Sequence, residues 1–197
     1  MAQPVKMNFK LYQGSTFQEV LRWESGTKVY KSISSITKAA PIEIYTTTSH
    51  ELPEGWRVKI TNVAGMKEIN SDEVYHQVSN VLPGSFQINA INALGYTTYT
   101  SGGVVEYNQP VDLAGYTARM QLREKVDSAE VLLELTTENG GIVLDNTLKT
   151  ITLYISAVDS AALTFSSAVY SLELVSSTGR VTPFIGGSVS LVKEVTR

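Results

Sequence analysis

The sequence contains no cysteine. That absence excludes disulfide cross-links, thiolate metal sites and a cysteine nucleophile together. It leaves the compartment open, because a chain assembled in a reducing cytosol and later displayed on a particle fits it as well as a resident cytosolic one. Long hydrophobic runs are missing too. No stretch approaches the roughly 20 apolar residues that span a bilayer, and the opening Met-Ala-Gln-Pro-Val-Lys lacks a signal-peptide core. The expectation is a soluble chain outside the usual export route, with no membrane insertion. Charge is modest in either sign: 16 Lys and Arg against 19 Asp and Glu leave a net −3. The basic residues are scattered, so a phosphate-tracking nucleic-acid surface is not expected.

What is present is enough apolar surface for a core, with 43% hydrophobic residues against 18% charged, which argues against global disorder. Short runs alternate apolar with polar residues, are rich in β-branched and aromatic side chains, and are divided by Gly, Pro, Asn and Asp. This is the strand signature. It predicts strands over Met7–Tyr12, Thr16–Glu24, Ile42–Thr47, Trp56–Asn62, Tyr75–Asn80, Ser85–Ala90, Gly103–Tyr107, Tyr116–Arg123, Val131–Glu134, Thr150–Ile155, Val169–Val175, Arg180–Phe184 and Ser188–Val195. Turns are expected at Gln13-Gly14-Ser15, Glu54-Gly55, Pro83-Gly84, Asn139-Gly140-Gly141, Asp145-Asn146 and Ser177-Thr178-Gly179. Only Ser156–Leu163 reads as helix, with Ser156 as its cap. The fold class is therefore all-β.

Composition shifts near Ser25–Ala40 and again at Asn108–Asp112, where Pro110 stops strand pairing. The strands before the first shift are too few to bury a sheet face alone. An insertion is the simplest explanation: a discontinuous β-sandwich of residues 1–30 and 109–197, interrupted by a small β-barrel of residues 31–108.

The outer segments are Asn8-Phe-Lys-Leu-Tyr-Gln-Gly-Ser-Thr-Phe17, Leu21-Arg-Trp-Glu24, then Val111-Asp-Leu-Ala-Gly-Tyr-Thr-Ala-Arg-Met-Gln-Leu-Arg123. The order continues through Leu133-Glu-Leu135, Ile151-Thr-Leu-Tyr-Ile155, Ala168-Val-Tyr-Ser-Leu-Glu-Leu-Val175 and Gly187-Ser-Val-Ser-Leu-Val192. This order resembles the N-terminal domain of phage baseplate upper proteins, which implies an immunoglobulin-like sandwich that builds tail assemblies. The middle segment carries Thr47-Thr-Ser-His-Glu-Leu-Pro53, Trp56-Arg-Val-Lys-Ile60, Val63-Ala-Gly-Met66, Ile69-Asn70 and Gly95-Tyr-Thr-Thr-Tyr-Thr-Ser-Gly-Gly103. It is similar to the small β-barrel that precedes the catalytic-cysteine region of ubiquitin-activating enzymes, a module also found in phage virion proteins. That likeness implies a spacer or docking domain. Ubiquitin chemistry is not implied, since it needs a thiolate and a nucleotide-cradling loop.

Catalytic constellations are weakly supported. His50 and His76 are the only histidines, and although His50 neighbours Glu51 and His76 follows Glu73, an acid–base pair is less favoured than loop-ordering roles. No ligand set converges at metal spacing, and no Gly-x-Ser-x-Gly elbow occurs. Glu134, Glu138, Asp145, Glu173 and Glu194 read as solvent-facing, and Arg119 and Arg123 as partners in cross-strand ion pairs. Trp23 and Trp56 fit half-buried strands better than sugar platforms. Tyr96 and Tyr99 form the best candidate for an exposed interaction hairpin. No catalytic, cofactor or metal residue is assigned.

These readings imply a non-catalytic virion protein of a tailed phage, an assembly or adaptor subunit of the tail, baseplate or fibre-attachment region. It would be assembled in the host cytoplasm, with other virion proteins and copies of itself as partners. Two alternatives stay open: a head-decoration or head-to-tail component, and a carbohydrate-binding module contacting a host surface glycan.

Overall fold

The computed structural model describes residues 4–195. In chain order the strands are β1 Val5–Lys6, β2 Phe9–Tyr12, β3 Phe17–Leu21, β4 Glu24–Ile36, β5 Ile42–Thr46, β6 Arg57–Ala64, β7 His76–Gln77 and β8 Ser79–Leu82. They continue with β9 Ser85–Ile88, β10 Ser101–Pro110, β11 Thr117–Arg123, β12 Leu133–Thr136, β13 Ile142–Asp145, β14 Thr150–Ile155, β15 Ser167–Val175 and β16 Val181–Val192. One α-helix among the described residues, α1, covers Ala157–Ala162, and its first turn is capped by the Ser156 hydroxyl, which accepts the Asp159 N–H. The protein is all-β, and it divides into two compact units, Met1–Arg22 with Asp112–Arg197 and Trp23–Val111. Among the described residues no helix is long and apolar enough to cross a membrane.

The first unit is a sandwich. One sheet runs β1-β16-β15-β11-β12 with β2 also on β16, and the other runs β13-β14-β3. Strands β1 and β2 lie parallel to β16, while the remaining pairs are antiparallel. In immunoglobulin terms β3, β11, β12, β13, β14, β15 and β16 stand as B, C, C′, D, E, F and G. Strict alternation drives the packing: β15 reads exposed at Ser171 and buried at Ala168, Tyr170, Leu172 and Leu174. Phe9 of one sheet meets Phe17 of the other edge to face at 5.4 Å and stacks on Tyr170 at 5.0 Å. The core between the two sheets holds Leu122, Leu172, Ile151 and Leu153, each fully buried.

The second unit, inserted between strands β3 and β11, is a seven-stranded sheet in the order β7-β6-β10-β4-β5-β9-β8. Its outermost strands, β7 and β8, are separated in the chain by Val78 alone, whose N–H bonds the Trp56 carbonyl at 2.8 Å. The sheet therefore curls until both ends meet in one segment, a nearly closed barrel without a long free edge. Inside lie Ile42, Ile44, Trp56, Val58, Ile60, Met66, Phe86, Ile88 and Val105, each with no exposed surface. Burying each aliphatic or aromatic side chain contributes about 1.5–3 kcal/mol.

Three local expectations are corrected. Ser25–Ala40, where the composition shifts and no strand is expected, is mostly strand, because Glu24–Ile36 is a 13-residue strand. The second unit accordingly begins before residue 31. The alternation there is masked by Ser, Thr and Lys, and only Ile33 and Ile36 are buried, so ladders to β10 and β5 hold the strand. Ile142–Asp145, which the sequence pattern left unassigned, is a strand between two turns. Arg180–Phe184 and Ser188–Val195 are not two strands: β16 runs through both, with a bulge opposite Leu172/Glu173. Gly187 lies within it because a Cβ there would collide with the Met7 carbonyl.

Candidate interaction surfaces

Outward side chains of β11, β12 and β15 form the floor of a groove of about 550 Å³ on the sandwich. Register places Arg119 between Thr136 and Glu173, Gln121 between Glu134 and Ser171, and Arg123 beside Val169. Period-two alternation puts all three β11 residues on one face, which is why they share the groove. Arg119 pairs with Glu173 at 2.8 Å, the cross-strand ion pair expected of it. Arg123 does something else. Its guanidinium bonds the carbonyls of Ser128 and Ala129, the latter at 2.9 Å, and Gln121 Oε1 at 2.7 Å. The expected ion pair at Arg123 is thus replaced by contacts to neutral oxygens of the following turn. Gln121 in turn donates to Glu134 at 2.6 Å.

The barrel carries a second polar surface. Arg57 grips Glu24 through two bonds of 2.6 and 2.7 Å, and Asn108 Nδ2 donates to the same carboxylate at 2.8 Å. Burial opposes the Glu24 charge, but the bonds from Arg57 and Asn108 outweigh it and hold the carboxyl below its usual range. The Tyr75 ring gathers cations, with Arg57 at 4.6 Å and Lys59 at 4.8 Å from its centroid. Lys28 pairs with Glu106 at 2.7 Å.

Tyr96 and Tyr99 do not form a hairpin. Residues 91–100 are a loop, and both rings are half-buried against the barrel core. Tyr99 donates to the Gly102 carbonyl at 3.0 Å, which ties its hydroxyl to backbone. The sequence signal failed here because Gly95 and the threonines resemble turn chemistry, whereas the segment is a loop that packs its Thr98 carbonyl closely on Gly65. Trp56 is wholly buried and donates to the Asn108 carbonyl at 3.0 Å, while Trp23 is half-buried. The adjacent glycines at 102–103 and 140–141 lie in strand and turn positions.

His50 is buried in the barrel wall, with Nδ1 accepting the Leu52 N–H at 3.2 Å and Nε2 3.2 Å from the Ser85 carbonyl. The Tyr107 hydroxyl donates to the His50 carbonyl. Burial drives the Tyr107 phenol up to about 12 and pulls His50 and His76 below the ordinary imidazole value. His76 is half-buried on β7, away from any carboxylate pairing among the described contacts. Among the described residues no group of three or more His, Cys, Asp or Glu side chains could hold a metal ion.

The class defined so far is an all-β protein in which an immunoglobulin-like sandwich is interrupted by a separately paired barrel. Residues 37–108 match the family model of the ubiquitin-activating enzyme E1 FCCH domain. The matched segment holds strands β5 to β9 and most of β10, so β4, the longest strand of the barrel, precedes it. None of the curated proteins matches the chain.

Proposed function

We propose that this chain is a non-catalytic structural protein of a tailed-phage particle, an assembly subunit of the tail, baseplate or fibre-attachment region. One observation carries the reading: a sandwich whose ordered motifs resemble baseplate upper proteins is interrupted, between β3 and β11, by a barrel of the kind the family model describes. Both units offer polar, ion-paired strand faces suited to subunit contacts, and symmetry would multiply such contacts over many copies. The partners are other virion proteins and further copies of this chain.

Immunogold labelling of purified particles, with antibody raised against the chain, tests the proposal. Label at the tail tip is expected. Label over the head would replace the tail position with head decoration, and particles free of the chain would remove the virion reading altogether. Glycan-array binding that is lost in Tyr96→Ala and Tyr99→Ala would instead favour a sugar-binding module.

A further inference from the structure

In the groove of the sandwich two cations, Arg119 and Arg123, balance two carboxylates, Glu134 and Glu173, but only one pair is in direct contact. Glu173 is engaged by Arg119 at 2.8 Å and Glu134 by the Gln121 amide at 2.6 Å. The Arg123 guanidinium contacts only neutral oxygens among the described residues. Those three bonds use three of its five donors, which leaves two for an incoming carboxylate beside Val169.

The same guanidinium shapes the rim. Ser128 N–H donates to the Lys125 carbonyl at 3.1 Å, so Val126 and Asp127 are the central residues of a β-turn. Arg123 holds the returning limb of that turn through Ser128 and Ala129. Val126 is 81% exposed and lines the groove, and Asp127 is exposed beside it. A fixed knob bearing one valine and one carboxylate therefore adjoins a hollow offering one valine and a guanidinium with two open donors, joined to Glu134 only through Gln121. Knob and hollow on the same surface satisfy the condition for an isologous contact, in which each copy gives what the other receives.

We propose that two copies of this chain pair through this face about a two-fold axis, Asp127 of each meeting Arg123 of the other and Val126 packing on Val169. The carboxylate–guanidinium bond is charge-assisted, and the stapled turn loses little freedom on docking. A face of three strands and one turn is at the small end of specific interfaces, so the dimer is weak, with a Kd of about a micromolar or above. The pairing does not depend on the virion reading, since it follows from side chains of the groove alone.

Sedimentation velocity on the full chain, from about 1 to 500 µM, decides the matter. Wild type should pass from monomer to dimer with rising concentration. Asp127→Arg and Val126→Asp break no hydrogen bond within the copy, and each should weaken the dimer at least about tenfold with the circular dichroism spectrum unchanged. A wild type that stays monomeric throughout overturns the proposal, as does a dimer indifferent to both single variants.

Discussion

His50 and Ser85 are joined ring to backbone, with Nε2 of the buried imidazole 3.2 Å from the Ser85 carbonyl. Nδ1 is occupied by the Leu52 N–H at 3.2 Å, so the ring is neutral with its proton on Nε2. Protonating it would expel that N–H inside the barrel wall, and burial accordingly holds the ring below its ordinary value. The unfolded chain titrates near 6.5, so it takes up the proton first as pH falls. Stability from this group is complete above about pH 7, declines below about 6.5, and levels off once the folded ring also protonates. His76 shifts in the same direction and adds to the slope. Urea midpoints between about pH 5 and 8 should fall on acidification, and His50→Gln should remove up to about 1.4 kcal/mol per pH unit of that slope. An unaltered slope in the variant would show that His50 is not the sensor.

A second prediction concerns the acid limb of the barrel. Arg57 is the main cation on Glu24, whose side chain is 17% exposed, and the Arg57 side chain is itself 54% exposed. Solvent screening limits such a pair, so Arg57→Ala should cost about 1 kcal/mol, part of it from leaving a half-buried carboxylate to Asn108 alone. The Glu24 carboxyl is held below its usual value. Its contribution is therefore present above about pH 4.3, and it is lost as pH falls through the lower folded value. Arg57→Ala should be less sensitive than wild type over that acid range. A double-mutant cycle with Glu24→Gln measures the coupling, and a value near zero would mean that solvent cancels the pair.

Much of this fold is legible in the sequence because both units obey period-two alternation where a face is buried. Leu122, Leu172 and Ile60 sit where alternation puts them, with no exposed surface. Legibility fails where backbone pairing and not side-chain burial sustains a strand, as in β4, flanked by ladders on both sides yet burying only Ile33 and Ile36. The groove was readable only in part. Spacing put Arg119 and Arg123 on one face, but which of them finds a carboxylate depends on Glu173 across the ladder and on the turn after β11. That dependence is tertiary, and no local pattern encodes it.

The third prediction tests how the amino-terminal strands are seated. β1 and β2 run along β16, and Met7 N–H donates to the Gly186 carbonyl at 3.0 Å. Gly187 faces the Met7 carbonyl so closely that an added methyl must displace one backbone or the other. Gly187→Ala should destabilise the sandwich by about 2 kcal/mol or more and release amide protection over residues 7–12. Gly26→Ala, where nothing lies within 4 Å of the added carbon, serves as the control and should change stability by less than about 0.5 kcal/mol. Equal effects at the two sites would contradict the close approach.

The last prediction follows from the two crossings between the units. Val111 N–H donates to the Trp23 carbonyl at 3.0 Å, and Pro110 stands opposite Glu24 in the β4–β10 ladder. The chain thus leaves the sandwich and returns to it on neighbouring antiparallel strands, whose Cα atoms lie only about 5 Å apart. Each sheet of the sandwich finds all its partners within its own unit, and the barrel likewise closes on its own strands. Excising Trp23–Val111 and joining Arg22 to Asp112 through a short Gly-Ser linker should therefore leave a folded sandwich, because a gap of that size needs only a few flexible residues. The excised barrel, expressed alone, should fold as well. Cooperative urea unfolding of both fragments, with the amide-exchange patterns they show in the full chain, is the expected result. A sandwich fragment that unfolds without cooperativity would mean that its stability depends on the inserted unit after all.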